Sequence, residues 1–119
     1  MRADLFAAPG APRLPFAGRD LDFPVHRIYC VGRNFADHAR EMGAAVERGT
    51  PVIFMKPADA LHLHPRLPYP PGTADLHHEV EMVVAIGRDA DGELHAGEGA
   101  GLVCGYGVGL DLTRRDLQA

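Results

Sequence analysis

Alternation of apolar and polar residues is strongest in two stretches of the chain, and these predict its two best strands. In Leu76-His77-His78-Glu79-Val80-Glu81-Met82-Val83-Val84-Ala85-Ile86, positions Val80, Met82, Val84 and Ile86 share one side, and Glu79 and Glu81 share the other. A second strand is predicted from Leu102 to Leu112, with Val108, Leu110 and Leu112 on its apolar side and Asp111 on the face of Gly107 and Gly109. Between them Gly87 to Gly92 reads as a turn, with Asp91-Gly92 its strongest signal, and residues 93 to 101 leave room for one helical turn. Upstream, His26 to Val31 predicts a short strand. Val52-Ile53-Phe54-Met55 predicts a buried one that Lys56-Pro57 stops.

The remaining segments carry weaker patterns. Residues 1 to 25 are rich in Pro, Ala and Gly without a sustained period, so they read as an irregular arm with room for a short pairing at its apolar positions. Asn34 is a plausible N-cap for a helix over 35 to 42 that Gly43 ends, and Ala44 to Thr50 reads as a loop. Leu61 to Gly72 holds four prolines and reads as extended loop. At the end of the chain Thr113 and Asp116 have capping-box spacing, so the last residues predict the first turn of a helix. A chain that stops at a helix start is expected to be truncated. The fold class is therefore mainly β with short helices, in one domain over 26–119 that follows the arm.

Composition narrows the function classes. Apolar residues make up 46% and charged residues 24% of 119 positions, ordinary for a globular domain with one modest core. A formal charge of −4 with scattered Lys and Arg gives no basic footprint, so no nucleic-acid partner is expected. No apolar run approaches the roughly 20 residues that span a bilayer, and no secretory signal stands at the start, so no membrane is expected and a cytoplasmic location is. Cys30 and Cys104 lie in apolar strand-like surroundings and are expected as buried, unpaired thiols. The chain contains no Ser, which excludes a serine nucleophile from it, and Gly97-Glu98-Gly99-Ala100-Gly101 lacks the residues of a phosphate loop.

Three features carry candidate chemistry. Glu79 and Glu81 on one strand face have Cα atoms about 6.5–7 Å apart at a rise near 3.3 Å per residue. Two carboxylates that close raise each other's pKa unless a cation or water screens them. Oxygen-only ligands favour Mg²⁺, Mn²⁺ or Ca²⁺ over Zn²⁺. A solvated glutamate face has the same spacing, and spacing alone leaves the choice open. Asp111 ends a stripe of alternate glycines, which suits either the close approach of a ligand or tight packing of another chain segment. His38 and Glu41 are three apart on the predicted helix, where a carboxylate can orient a histidine as a general base; surface pairs show the same spacing. His62 and His64 alternate with leucines but lack a nearby third ligand for a transition metal.

Five segments, in order, resemble the fumarylacetoacetate hydrolase superfamily, particularly its small acylpyruvate and fumarylpyruvate hydrolases. They are Ile28-Tyr29-Cys30-Val31-Gly32-Arg33-Asn34-Phe35, His38-Ala39-Arg40-Glu41-Met42, Phe54-Met55-Lys56-Pro57, His77-His78-Glu79-Val80-Glu81, and Gly105-Tyr106 through Asp111-Leu112-Thr113-Arg114-Arg115-Asp116-Leu117-Gln118. The resemblance implies a mixed β-roll of the family's C-terminal-domain type, incomplete here at its C-terminus, and a homodimer in the full-length form. It implies Mg²⁺ or Mn²⁺ on Glu79, Glu81 and Asp111, with His38 and Glu41 activating water. Arg115 and Gln118 would hold substrate, and Arg33 and Lys56 are further candidate substrate contacts in the matched segments. The implied reaction is cleavage of a C–C bond in an acylpyruvate such as fumarylpyruvate, giving pyruvate and a second acid such as fumarate. Oxaloacetate decarboxylation or oxo-acid isomerisation at the same site is the alternative, and a non-catalytic truncated remnant is the contrasting one. The family's usual Thr-Ala-Arg-Asp is departed from at Arg114, which stands where a small residue is usual.

Overall fold

The computed structural model describes residues 1–32 and 51–118. The predicted helix over 35–42 and the loop to Thr50 lie outside the described residues, and with them Arg33, His38 and Glu41. The described part is mainly β, with three short 3-10 turns at Ala58–Ala60, Gly99–Leu102 and Arg115–Leu117. It divides into two compact units, Met1–Leu67 and Pro68–Ala119. None of the described residues forms a helix long and apolar enough to cross a membrane.

The first unit holds two antiparallel pairs. β1 (Arg13–Pro15) pairs with β2 (Asp22–Pro24), setting Leu14 opposite Phe23. The short pairing expected in the arm therefore forms at its apolar positions. Gly18, at φ 78°, turns the chain between the two strands, a backbone conformation that side-chain-bearing residues rarely adopt. The Val25 N–H donates to the Pro12 carbonyl at 2.8 Å, and Val25 is the single buried apolar residue among those described. β3 (Ile28–Gly32) pairs with β4 (Val52–Lys56), with Ile28 opposite Lys56 and Gly32 opposite Val52.

The second unit is built on one long hairpin. β5 (Leu76–Ile86) matches the predicted strand, and β6 (Val103–Arg114) begins and ends close to its prediction. They run antiparallel with Glu79 opposite Asp111, Glu81 opposite Gly109 and Val83 opposite Gly107. Because side chains alternate, this register sends Val80, Met82, Val84, Tyr106, Val108 and Leu110 to one face and the acidic residues to the other. The apolar face is open, with Val108 82% and Met82 70% exposed. A two-stranded hairpin has no second layer of its own to cover such a face.

Two glycines in this unit have steric causes. The register shifts after Ala85, which pairs with Gly105, because Ile86 pairs with Val103; Cys104 is the extra residue of a bulge. Gly87 donates its N–H to Leu102 at 2.8 Å, and a Cβ on it would lie 2.6 Å from the Cβ of Cys104. The bulge also corrects the expectation for this cysteine: Cys104 is exposed and Cys30 only half-buried, though neither is bridged to the other. At Gly109 a Cβ would meet Val83 Cγ2 at 2.9 Å. Of the two causes open for the glycine stripe, packing against a neighbouring side chain thus applies at this position.

These contacts order two substitutions. Gly109→Ala should cost about 1 kcal/mol, because Val83 can rotate away, and Val83→Ala in the same chain should recover most of it. Gly87→Ala should cost more, roughly 1–3 kcal/mol, since a Cβ fixed to the backbone stands in the way. Denaturant unfolding of the two single variants and the double checks the order; equal costs would contradict it.

Candidate metal centre

Register alone brings the acidic residues together. Glu79 and Glu81 are two apart on β5, and Asp111 faces Glu79 across the ladder, so all three side chains leave the same face of the hairpin. One carboxylate oxygen from each lies within 4.8 Å of the others, and all three residues are half-buried. Oxygens placed octahedrally around a small hard cation at 2.0–2.1 Å stand roughly 3–4 Å apart, so the cluster is near that size. The donor set is oxygen only, as Mg²⁺ and Mn²⁺ prefer. Opposite Glu81 stands Gly109, whose missing side chain leaves the space beside the cluster to Val83 and to whatever approaches the carboxylates.

Three negative charges at this separation repel. At 4.8 Å, the widest separation in the group, and an effective dielectric near 20, two unit charges repel by roughly 3.5 kcal/mol, which water reaching them reduces. Arg115, among the described residues, brings a positive charge to the group. Arg115 Nη2 donates to Glu79 Oε1 at 2.6 Å, with the arginine side chain 23% and the glutamate side chain 17% exposed. The guanidinium Nε is buried and has no hydrogen-bond partner among the described residues.

Arg115 is delivered by the way β6 ends. The strand stops at Arg114, and Arg115–Leu117 make a 3-10 turn without a side-chain cap. The Arg115 N–H donates to the Asp75 carbonyl at 2.8 Å. The Asp116 carboxylate accepts from the Thr73 hydroxyl and, at 3.0 Å, from the Ala74 N–H. Residues 115 and 116 are therefore fastened to residues 73–75, which lead into β5. This corrects the capping-box expectation: Thr113 lies inside β6, donating its hydroxyl to the Asp111 carbonyl at 3.5 Å, and Asp116 serves a partner 43 residues away. The nearest hint of that in the sequence is the Thr73-Ala74-Asp75 turn signal before β5, which does not name its partner.

Lys56 is the last residue of β4 in the first unit, and Gln118 is exposed just after the final turn. Arg114 is exposed and, three positions beyond Asp111, belongs to the opposite face of β6, so the departure at this position directs its charge away from the carboxylates. His62 and His64 close a local turn around Arg66. His62 Nε2 bonds the Arg66 carbonyl at 2.8 Å, and the Arg66 N–H donates to His64 Nδ1 at 3.1 Å. His77, which Glu79 follows by two, pairs with Asp75 at 2.8 Å on an exposed stretch of β5.

Known proteins resemble the chain over most of its length. A family model described as fumarylacetoacetate (FAA) hydrolase C-terminal matches residues 27–119. An oxaloacetate tautomerase of Escherichia coli, YcgM, is 47% identical over 105 residues, 85% of this chain and 46% of that protein. The mitochondrial oxaloacetate tautomerase FAHD1 of Arabidopsis thaliana is 43% identical over 94 residues, 78% of this chain and 41% of that one. A crystal structure of fumarylpyruvate hydrolase from Pseudomonas aeruginosa, in complex with Mn²⁺ and pyruvate, superposes with a TM-score of 0.88 at 47% identity, covering 98% of this chain and 52% of that one. The chain thus spans about half the length of the relatives it matches.

The Asp116 clamp has a pH signature. The Thr73 hydroxyl first, then the Ala74 N–H, hold the Asp116 carboxyl below its usual value of 3.8. A carboxyl lowered by folding adds stability that is complete above its unfolded pKa and lost as pH falls through the folded one. Asp116→Asn should therefore be less stable than the parent at neutral pH and lose less on acidification below about pH 4. Thermal unfolding of both proteins from pH 2 to 7 measures this; parallel curves would contradict it.

Proposed function

The chain belongs to the fumarylacetoacetate hydrolase family, and from that premise we propose that it is the cation-binding part of an enzyme cleaving acylpyruvates to pyruvate and a carboxylic acid. The observation that carries the proposal is the convergence of Glu79, Glu81 and Asp111 within 4.8 Å on one face of the hairpin. The P. aeruginosa relative, in complex with Mn²⁺ and pyruvate, supports a divalent cation and a small oxo-acid ligand.

Under this reading Glu79, Glu81 and Asp111 would hold Mg²⁺ or Mn²⁺. When bound, the ion supplies Lewis acidity and an anchor for a 2-oxo carboxylate. Gly109 keeps the approach beside Glu81 clear of a side chain of its own. His38, oriented by Glu41, takes a proton from water, and the water oxygen attacks the distal carbonyl of the acylpyruvate. The C–C bond breaks toward the pyruvate half, whose enolate takes a proton to give pyruvate. The acyl half leaves as the acid, fumarate where the substrate is fumarylpyruvate. Arg115, Gln118, Arg33 and Lys56 are the further groups we assign to substrate or to holding the site in shape.

A second reading is oxaloacetate keto–enol interconversion, favoured by the 47% identity to the E. coli tautomerase. It needs the same cation site and a proton moved at one carbon, without attack by water. Oxaloacetate decarboxylation differs again by releasing CO₂.

The purified chain should be assayed with fumarylpyruvate and with oxaloacetate, in Mn²⁺ and in chelator. Pyruvate and fumarate formed only with metal support hydrolysis, whereas enol loss from oxaloacetate without CO₂ supports the second reading. Asp111→Asn should lower the metal-dependent rate about 100-fold or more, given that partners one step further from a metal already cost 10–100-fold. Unchanged turnover in that variant would sink the ligand assignment, and intact hydrolysis in His38→Ala would remove the proposed base. Cation binding without any turnover would favour the non-catalytic alternative.

A further inference from the structure

We propose that Val83 is the residue that selects the acyl group, an apolar surface beside the carboxylate cluster against which the tail of a 2-oxo acid lies. The inference rests on the cation reading above and extends it to the choice of substrate.

Position comes first. Val83 follows Glu81 by two on β5 and pairs with Gly107, so it leaves the hairpin on the carboxylate face, one step nearer the turn. At a rise near 3.3 Å per residue its Cα lies about 6.5–7 Å from that of Glu81, a gap that the carbon chain of a small acid can span. A Cβ on Gly107 would meet the Val83 Cβ at 3.8 Å, and one on Gly109 would meet its Cγ2 at 2.9 Å. Gly109 is the residue opposite Glu81, so one methyl of Val83 reaches back along the ladder toward the cluster. With 36% of Val83 exposed, a ligand can touch it.

The two sides of the cluster differ in chemistry. Toward the open end of the hairpin the same face carries His77 and Thr113, and Arg115 lies on Glu79. Toward the turn it carries Val83 and Ala85, opposite Gly107 and Gly105. Among the described residues of the hairpin, Val83 is thus the one side chain larger than a methyl on the turnward half of this face. An apolar tail gains by covering an isopropyl group. A second carboxylate, such as that of oxaloacetate, would give up water there without a partner. Val83 therefore favours acylpyruvates over oxaloacetate, and among them those with an apolar stretch next to the cleaved carbonyl.

Binding of two acids that lack a cleavable acyl group tests this without turnover. Pyruvate and 2-oxohexanoate share the 2-oxo carboxylate end, and the second adds a straight apolar tail. Each is titrated by calorimetry into the full chain in saturating Mn²⁺, for the parent, Val83→Thr and Val83→Phe. The parent should prefer 2-oxohexanoate. Val83→Thr keeps the shape and adds a hydroxyl, and should cut the ratio of the two affinities roughly 10-fold, the scale of one apolar group in a specificity pocket. Val83→Phe should cut it as well, by filling the space the tail needs. If Val83→Phe does not fold, the isosteric Val83→Thr decides alone. A parent without preference, or a ratio unchanged in Val83→Thr, would overturn the inference while leaving the cation reading intact. A parent that binds no Mn²⁺, or binds it without either acid, would refute that reading and this inference with it.

Discussion

Pairing of Leu76–Ile86 with Val103–Arg114 fixes which residues can meet, because in an antiparallel ladder every side chain's face follows from the register. Sliding β6 by one residue would put Leu110 or Leu112 opposite Glu79 and turn Asp111 to the apolar side. Three elements hold the register at its ends. The Cys104 bulge with Gly87 sets it near the turn, and the bonds from Arg115 and Asp116 to residues 73–75 set it at the open end. The carboxylate cluster is thus a consequence of strand pairing rather than of local loop structure.

The same alternation gives the hairpin two unlike faces. Val80, Met82, Val84, Tyr106, Val108 and Leu110 line one, while Glu79, Glu81 and Asp111 line the other with Gly107 and Gly109 between. Val83 lies on that same face and occupies the space over Gly109, where a second side chain would not fit. The site is in this sense defined as much by what the strand omits as by the acids it carries.

Legibility in the sequence followed the range of the interactions. The bounds and faces of β5 are readable because Glu79-Val80-Glu81-Met82 alternates and the β-branched and apolar run to Ile86 continues it up to Gly87, and the glycine-bearing face of β6 follows in the same way. The bulge was not readable, since nothing in Leu102-Val103-Cys104 signals an extra residue, and so Cys104 was expected to be buried when it is exposed. The spacing of Asp116 from Thr113 fits a local cap, whereas the bond that forms is tertiary, to Thr73. Spacing alone could not choose between a solvated glutamate face and a cation site. Convergence with Asp111 bears on that choice, and it depends on a pairing that no single segment contains.

A site built this way faces a problem before it ever meets a cation, for the residues that suit Mg²⁺ or Mn²⁺ are those that repel one another without it. Burial deepens the repulsion and distance relieves it. The turn that ends β6 offers a way around this that costs the fold little. Its bonds to residues 73–75, one from the Arg115 N–H and two to the Asp116 carboxylate, close the open end of the hairpin, and the Arg115 guanidinium lies on Glu79. The closure that secures the register therefore also brings a positive charge onto Glu79. A change in residues 73–75 that loosened this closure would be felt at Glu79, although none of those residues is itself a candidate ligand.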